Sequence, residues 1–284
     1  MTESKPRSVV STAWLAEHLD SPDIRIVDGS WYLPQMGRDA KAEYRAAHIP
    51  GAIFFDIDDI ADDASPYPHM LPSAEKFASR VRKLGLGDGN RIVVYDGSGT
   101  NISAGRVWWM FRVFGVRDVA VLDGGFRKWQ AEGRPVDDRP PFPRERHFTA
   151  RFDHRLVRDF DQMQANVESR AEQVLDARSS GRFKGIDPEP RAGLKGGHVP
   201  GSRNLPHGEI VDASGCLLPT ATLKEKFAAS GIDLNRPIVA TCGSGVSACA
   251  LALALDVLGH HEVAVYDGSW SEWGARPEAR VETG

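Results

Sequence analysis

Cysteine is scarce in this chain, with three in 284 residues, at positions 216, 242 and 249. A small, odd set supplies no disulfide framework, so the fold must rest on a packed core, and free thiols suit a reducing, cytoplasmic setting. No apolar run approaches the roughly 20 residues that span a bilayer. Residues 1–7, Met-Thr-Glu-Ser-Lys-Pro-Arg, lead into no signal-like apolar core, so neither a membrane span nor a secretion leader is expected. Excess positive charge is also missing. Lys and Arg number 35 against 39 Asp and Glu, a net charge of −4, which points to neither nucleic acid nor an anionic membrane as partner. Cys242, Cys249, His260 and His261 lack the close pairing of a zinc site, and no metal or other cofactor is expected. What is present, 41% hydrophobic and 26% charged residues, describes a soluble globular chain of two domains or one large one.

The most informative stretch is Ile238-Val-Ala-Thr-Cys242-Gly-Ser-Gly-Val-Ser-Ala248, which continues into an apolar segment ending at Leu258. A β-branched run of strand length stops at Cys242, and Gly243 and Gly245 let the chain curl tightly. Residues 247–258, rich in Ala and Leu and stopped by Gly259, read as a buried helix. A strand-loop-helix of this kind sets its loop at a helix N-terminus, where backbone N–H groups and the dipole favour an anion, the nucleophilic form of a thiol included. Cys242 is therefore a candidate covalent catalyst. Packing is the other reading, because cysteine is among the residues most often buried. Gly243-x-Gly245-x-x-Ala248 also fits a dinucleotide fingerprint, with Asp267 ending the next strand. A dinucleotide fold needs two mononucleotide halves, however, and only residues 268–284 remain. Ala248 excludes a C-x5-R phosphatase loop, since the arginine that clamps phosphate is missing. Cys249 reads as core packing in the apolar helix, and Cys216 as an incidental half-buried thiol.

The chain repeats itself once. His48-Ile-Pro-Gly51 matches His198-Val-Pro-Gly201, and Lys76-Phe-Ala78 matches Lys226-Phe-Ala228. The stretch Arg91-Ile-Val-Val-Tyr-Asp96-Gly-Ser-Gly99 lies over Pro237-Ile-Val-Ala-Thr-Cys242-Gly-Ser-Gly245, and Val121 to Trp129 lies over Val265 to Trp273. Asp28 and Asp176 end corresponding strands. Chance would not keep these segments in one order, and the spacing between copies drifts only as small loop insertions allow. Each copy alternates short apolar strands with helical patterns, which predicts an α/β fold of two tandem domains, each a mainly parallel sheet flanked by helices. In the first copy, helices are expected over 12–19, 73–84 and 103–114, and strands over 24–27 and 91–95. The expected boundaries are 8–138, a proline-rich linker at 139–153, and 154–284. Asp96 stands where the second copy has Cys242. An exposed carboxylate there would repel an anion and cannot act as a thiolate nucleophile, so the chemistry falls to the second copy.

The duplicated layout, the loop Cys242-Gly-Ser-Gly-Val-Ser-Ala248, the stretch Asp267-Gly-Ser-Trp-Ser-Glu-Trp273, and Gly181-Arg-Phe183 with Pro188-Glu-Pro-Arg191 resemble the two-domain rhodanese-type sulfurtransferases. The resemblance covers about residues 10–279, and the loop resembles that of the 3-mercaptopyruvate sulfurtransferases most. It implies an enzyme that moves the sulfur of 3-mercaptopyruvate to cyanide or to a thiol acceptor, such as a thioredoxin-like protein. A Cys242 persulfide carries the sulfur and pyruvate is released. The loop amides of Gly243, Gly245, Val246 and Ser247 would hold negative charge. Arg182 and Arg191 match the family's two substrate-binding arginines; planar guanidinium groups suit a ketoacid carboxylate, although surface solvation is the usual state of an arginine. Asp58 and His69, the latter in Ser65-Pro-Tyr-Pro-His69, match a family stretch that joins the loop serine, here Ser244, in a triad-like relay. A histidine in a proline-flanked loop serves equally well as a structural hydrogen-bonding residue. His48 and His198 recur in both copies and read as structural. Thiosulfate-preferring relatives carry basic side chains where this chain has Gly243 and Ser244, so the resemblance favours mercaptopyruvate as donor. A thiosulfate sulfurtransferase and a non-catalytic persulfide carrier are the alternatives.

Overall fold

The computed structural model describes residues 8–284, and the reading of residues 1–7 lies outside them. The first compact unit comprises residues up to 60 together with 72–153 and 212–217. Its elements are β1 (Val9–Val10), α1 (Thr12–Glu17), β2 (Ile24–Asp28), α2 (Ala40–Ala46), β3 (Ile53–Phe54), α3 (Ala74–Lys83), β4 (Arg91–Tyr95), α4 (Ile102–Val113), β5 (Val119–Leu122) and α5 (Gly125–Ala131). The five strands form one parallel sheet in the order β1-β5-β4-β2-β3. A parallel sheet is covered on both faces, so its central strands read as unbroken apolar runs, as β4 and β5 do. Ser11 and Ser73 cap α1 and α3, their hydroxyl oxygens accepting from the N–H groups of Trp14 and Lys76.

The stretch expected as a linker, 139–153, is packed into this first unit. Phe148 is buried with its ring edge-on to Phe77, 5.7 Å between centroids, and Phe152 meets Phe114 in the same way at 5.6 Å. Its prolines and charges read as an interdomain linker, and two phenylalanines hold it against the first unit.

The second unit comprises 61–71, 154–211 and 218–284. It contains β6 (Val157–Arg158), α6 (Phe160–Ser169), β7 (Gln173–Asp176), α7 (Ser180–Phe183), β8 (Arg203–Asn204), α8 (Thr220–Ala229), β9 (Ile238–Thr241), α9 (Ala248–Val257), β10 (Ala264–Tyr266) and α10 (Ser269–Trp273). Its sheet is again parallel, in the order β6-β10-β9-β7-β8, the permutation seen in the first unit. The two repeats are thus an α/β fold made twice. One short segment of each sequence repeat is carried by the other unit, and the same device fastens both. In the second unit Leu71 donates its N–H to Asp267 Oδ2 at 2.7 Å; in the first, Leu217 donates to Asp123 Oδ1 at 2.8 Å.

Candidate active site

Cys242 follows the last residue of β9, a central strand paired with β7 on one side and β10 on the other. It is 1% exposed. The peptide groups on either side of it are tied to the turn after β10. Cys242 donates its N–H to Ser269 Oγ at 3.1 Å, and Ser269 in turn donates to the Tyr266 carbonyl at 2.8 Å. The Cys242 carbonyl accepts from Trp270 N at 2.9 Å. The Gly243 carbonyl accepts from both the N–H and the hydroxyl of Ser271, at 2.8 and 2.7 Å. Ser269 is fully buried at φ 48°, a left-handed backbone that is costly for serine and is held here by these bonds. Position 269 therefore fixes the cysteine, although as sequence it is one serine in a short polar stretch. A signal existed in its register: the first repeat has Gly125 there, also left-handed at φ 57°.

Within the loop the left-handed residue is Gly245, at φ 72°. Cys249, on the first turn of α9, is fully buried and donates its thiol to the Gly245 carbonyl at 3.1 Å. It packs as expected and also tethers the loop. Ser244 is buried, 6% exposed.

Arg182, on α7, lies over this loop. A Cβ built at Gly243 would stand 3.0 Å from Arg182 Nη2, so glycine is what lets the guanidinium approach. Glu189 holds that guanidinium, accepting from Nε at 3.2 Å and from Nη2 at 2.5 Å. The same Glu189 accepts from Arg178 Nη1 at 2.8 Å, and Arg178 is locked onto Asp176. Asp176, Arg178 and Glu189 are thus a buried frame behind Arg182. Sequence reading missed Arg178 because nothing local marks a buried arginine. His207 lies close enough for the Arg182 charge to act on it; its pKa is lowered first by burial and then by that charge, which keeps the imidazole neutral at neutral pH.

Arg191 and His69 meet in the second unit, Nη2 to Nε2 at 3.5 Å. His69 is buried with left-handed backbone, φ 62°, a conformation retained only where surroundings impose it. Asp58 belongs to the first unit, where it is exposed and accepts from Trp31 Nε1 at 3.0 Å. The carboxylate expected to be exposed in the first repeat is not. Asp96 is fully buried, accepting from Ser98 N at 2.8 Å, Ala104 N at 2.8 Å and the hydroxyls of Ser98 and Ser103 at 2.6 and 3.1 Å. Its loop wraps its own anion rather than repelling one.

The rhodanese-like domain matches residues 11–132 and again 159–276. The chain belongs to the rhodanese family. It is 44% identical to human 3-mercaptopyruvate sulfurtransferase over 98% of this chain and 96% of the relative, and 46% identical to thiosulfate sulfurtransferase of Cricetulus griseus over the same shares. Among solved structures it resembles SseA of Escherichia coli, a 3-mercaptopyruvate sulfotransferase, with a TM-score of 0.85 and 39% identity over 93% of this chain and 99% of that one. Among the described residues, no helix is long and apolar enough to cross a membrane.

Proposed function

We propose that this rhodanese-family chain is a sulfurtransferase that draws sulfur from 3-mercaptopyruvate onto Cys242 and passes it to a thiol or to cyanide. The observation that carries this reading is Arg182 poised over Gly243, one residue from the cysteine. The Cys242 thiolate attacks the donor sulfur, the donor's C–S bond breaks, and the carbon takes a proton to give pyruvate. Cys242 is left as a persulfide. An acceptor thiolate then attacks the outer sulfur, and the Cys242 thiolate leaves. Arg182 and Arg191 bind the carboxylate and carbonyl of the donor, and the amides of Gly243, Gly245, Val246 and Ser247 hold the negative charge that passes through the loop. The first repeat shows a loop N–H of this kind binding a carboxylate: Ser98, equivalent to Ser244, donates to Asp96.

Ser244 and His69 move the proton to the departing carbon, as the family resemblance implies. A thioredoxin-like dithiol is the acceptor we infer, in the cytoplasm, where the three free cysteines stay reduced. Thiosulfate is the competing donor, because identity to thiosulfate sulfurtransferase is as high as to the mercaptopyruvate enzymes. The lack of basic side chains at Gly243 and Ser244 supports mercaptopyruvate. A second donor charge near 4 Å from a basic side chain would gain roughly 1–4 kcal/mol, and Gly243 and Ser244 offer no such charge. Comparing kcat/KM for the two donors tests this: the expected ratio favours mercaptopyruvate, and a preference for thiosulfate would overturn it. Mass spectrometry after donor treatment should find one added sulfur on the Cys242 peptide.

A further inference from the structure

The repeats differ just after β2 and β7. In the second unit, Asp176 binds the guanidinium of Arg178 through Nε at 3.1 and 3.0 Å and Nη2 at 2.7 Å. That guanidinium also donates to the Gly197 carbonyl at 2.8 Å and lies over the ring of Trp270, 4.2 Å from its centroid. It is fully buried.

Each of these partners has a counterpart in the first unit. Asp28 stands for Asp176, Ala47 for Gly197 (the residue before His48 and His198), and Phe126 for Trp270 (three before Trp129 and Trp273). The backbones agree. Ser30 N donates to Asp28 Oδ1 at 2.9 Å as Arg178 N does to Asp176 Oδ1 at 2.9 Å, and Phe126 N donates to the Asp96 carbonyl at 2.9 Å as Trp270 N does to that of Cys242. Residue 30, however, is serine, and its hydroxyl turns to accept from Gly97 N at 2.9 Å. Where the second unit has a guanidinium, the first has a cavity of about 280 Å³ lined by Asp28, Tyr44, Ala47 and Phe126.

We propose that this cavity binds a small organic monocation of the guanidinium type, its head group seated between Asp28 and Phe126 as Arg178 is between Asp176 and Trp270. The buried Asp28 carboxyl supports the choice: burial pushes its pKa up to about 6, a cost that a cation relieves. The planar cation matches a carboxylate in two places at once and presents a face to the aromatic ring. The volume far exceeds what a single water needs, so a short alkyl tail fits with the head group. Two arginines also line the cavity: Arg38, engaged with Glu43 at 2.6 Å, and the exposed Arg127, whose charge disfavours a ligand carrying more than one positive charge.

Methylguanidinium chloride titrated calorimetrically into the full chain, at concentrations far below denaturing ones, tests the site, with urea as the uncharged isostere. Saturable one-site binding of methylguanidinium and none of urea is expected. Asp28→Asn should weaken binding at least about tenfold. Ser30→Arg should abolish it and raise the unfolding midpoint, because the new side chain fills the cavity from within the chain. Equal behaviour of methylguanidinium and urea, or undiminished binding in Ser30→Arg, would overturn the proposal. Should Asp28→Asn fail to fold, the urea control and Ser30→Arg decide without it.

Discussion

Cys242→Ser exchanges sulfur for oxygen at nearly constant volume in a fully packed position, so the fold should survive while persulfide formation is lost. Turnover with mercaptopyruvate should vanish and the unfolding midpoint should stay close to wild type. Cys249→Ala is the contrasting change. It truncates a buried side chain and removes the bond to the Gly245 carbonyl, an expected loss of ~1–2 kcal/mol of stability. Turnover should fall only several-fold, and Cys249→Ser should recover part of it. Arg182→Ala should raise KM for mercaptopyruvate and lower kcat/KM by roughly 2–4 kcal/mol, since a charged contact to the donor goes and Glu189 is left with one guanidinium fewer. At this scale the sequence made Cys242 legible because a strand, two glycines and a helix converge on it. Asp176, Arg178 and Ser269 were not legible as a frame. Their partners lie at distances along the chain that no local pattern connects, and a buried arginine looks like any other until its carboxylates are seen.

Strands and helices were legible where periodicity had room to show. The five-residue runs of β2 and β4 and the capped α1 and α3 emerge from β-branched residues and serine caps. The two-residue strands β1, β3, β6 and β8 are too short to carry a period, and tertiary pairing alone makes them strands. The loop 243–247 makes a prediction of its own. Gly243 is free of the left-handed constraint, so a side chain there is limited by Arg182 rather than by backbone strain. Gly243→Arg with Ser244→Lys should therefore push Arg182 aside as well as add charge. Its kcat/KM for thiosulfate over mercaptopyruvate should rise by roughly tenfold or more, with a raised KM for mercaptopyruvate. An unmoved ratio would mean that loop charge does not set donor choice.

Across the whole molecule, duplication was readable from the order of matching segments. The placement of 61–71 and 212–217 was not, because each lies inside its own repeat in sequence and its fastening residue lies far along the chain. Asp28 gives the first unit a pH signature. Its folded pKa, about 6, exceeds the ordinary value of 3.8, so between these limits the folded state binds more protons than the unfolded one. Stability supplied by protonated Asp28 is complete below about pH 4 and is lost as pH rises to about 6, by up to ~3 kcal/mol. Denaturant unfolding at several pH values should show Asp28→Asn gaining on wild type by that order across the window, and a constant difference would refute it.

The carboxylate of Asp96 is bonded to the amides and hydroxyls of its own loop. Placing a thiol at that one position would not create a second reaction centre. Gly125 lacks the hydroxyl that Ser269 offers to Cys242, and a Cβ at 125 would stand 2.5 Å from the Asp96 carbonyl oxygen; Ser30 likewise lacks the guanidinium of Arg178. Asp96→Cys in a Cys242→Ser background should accordingly remain inert toward mercaptopyruvate. The two copies differ as whole environments: the surroundings of Asp96 stand against thiolate chemistry there as firmly as the carboxylate itself does.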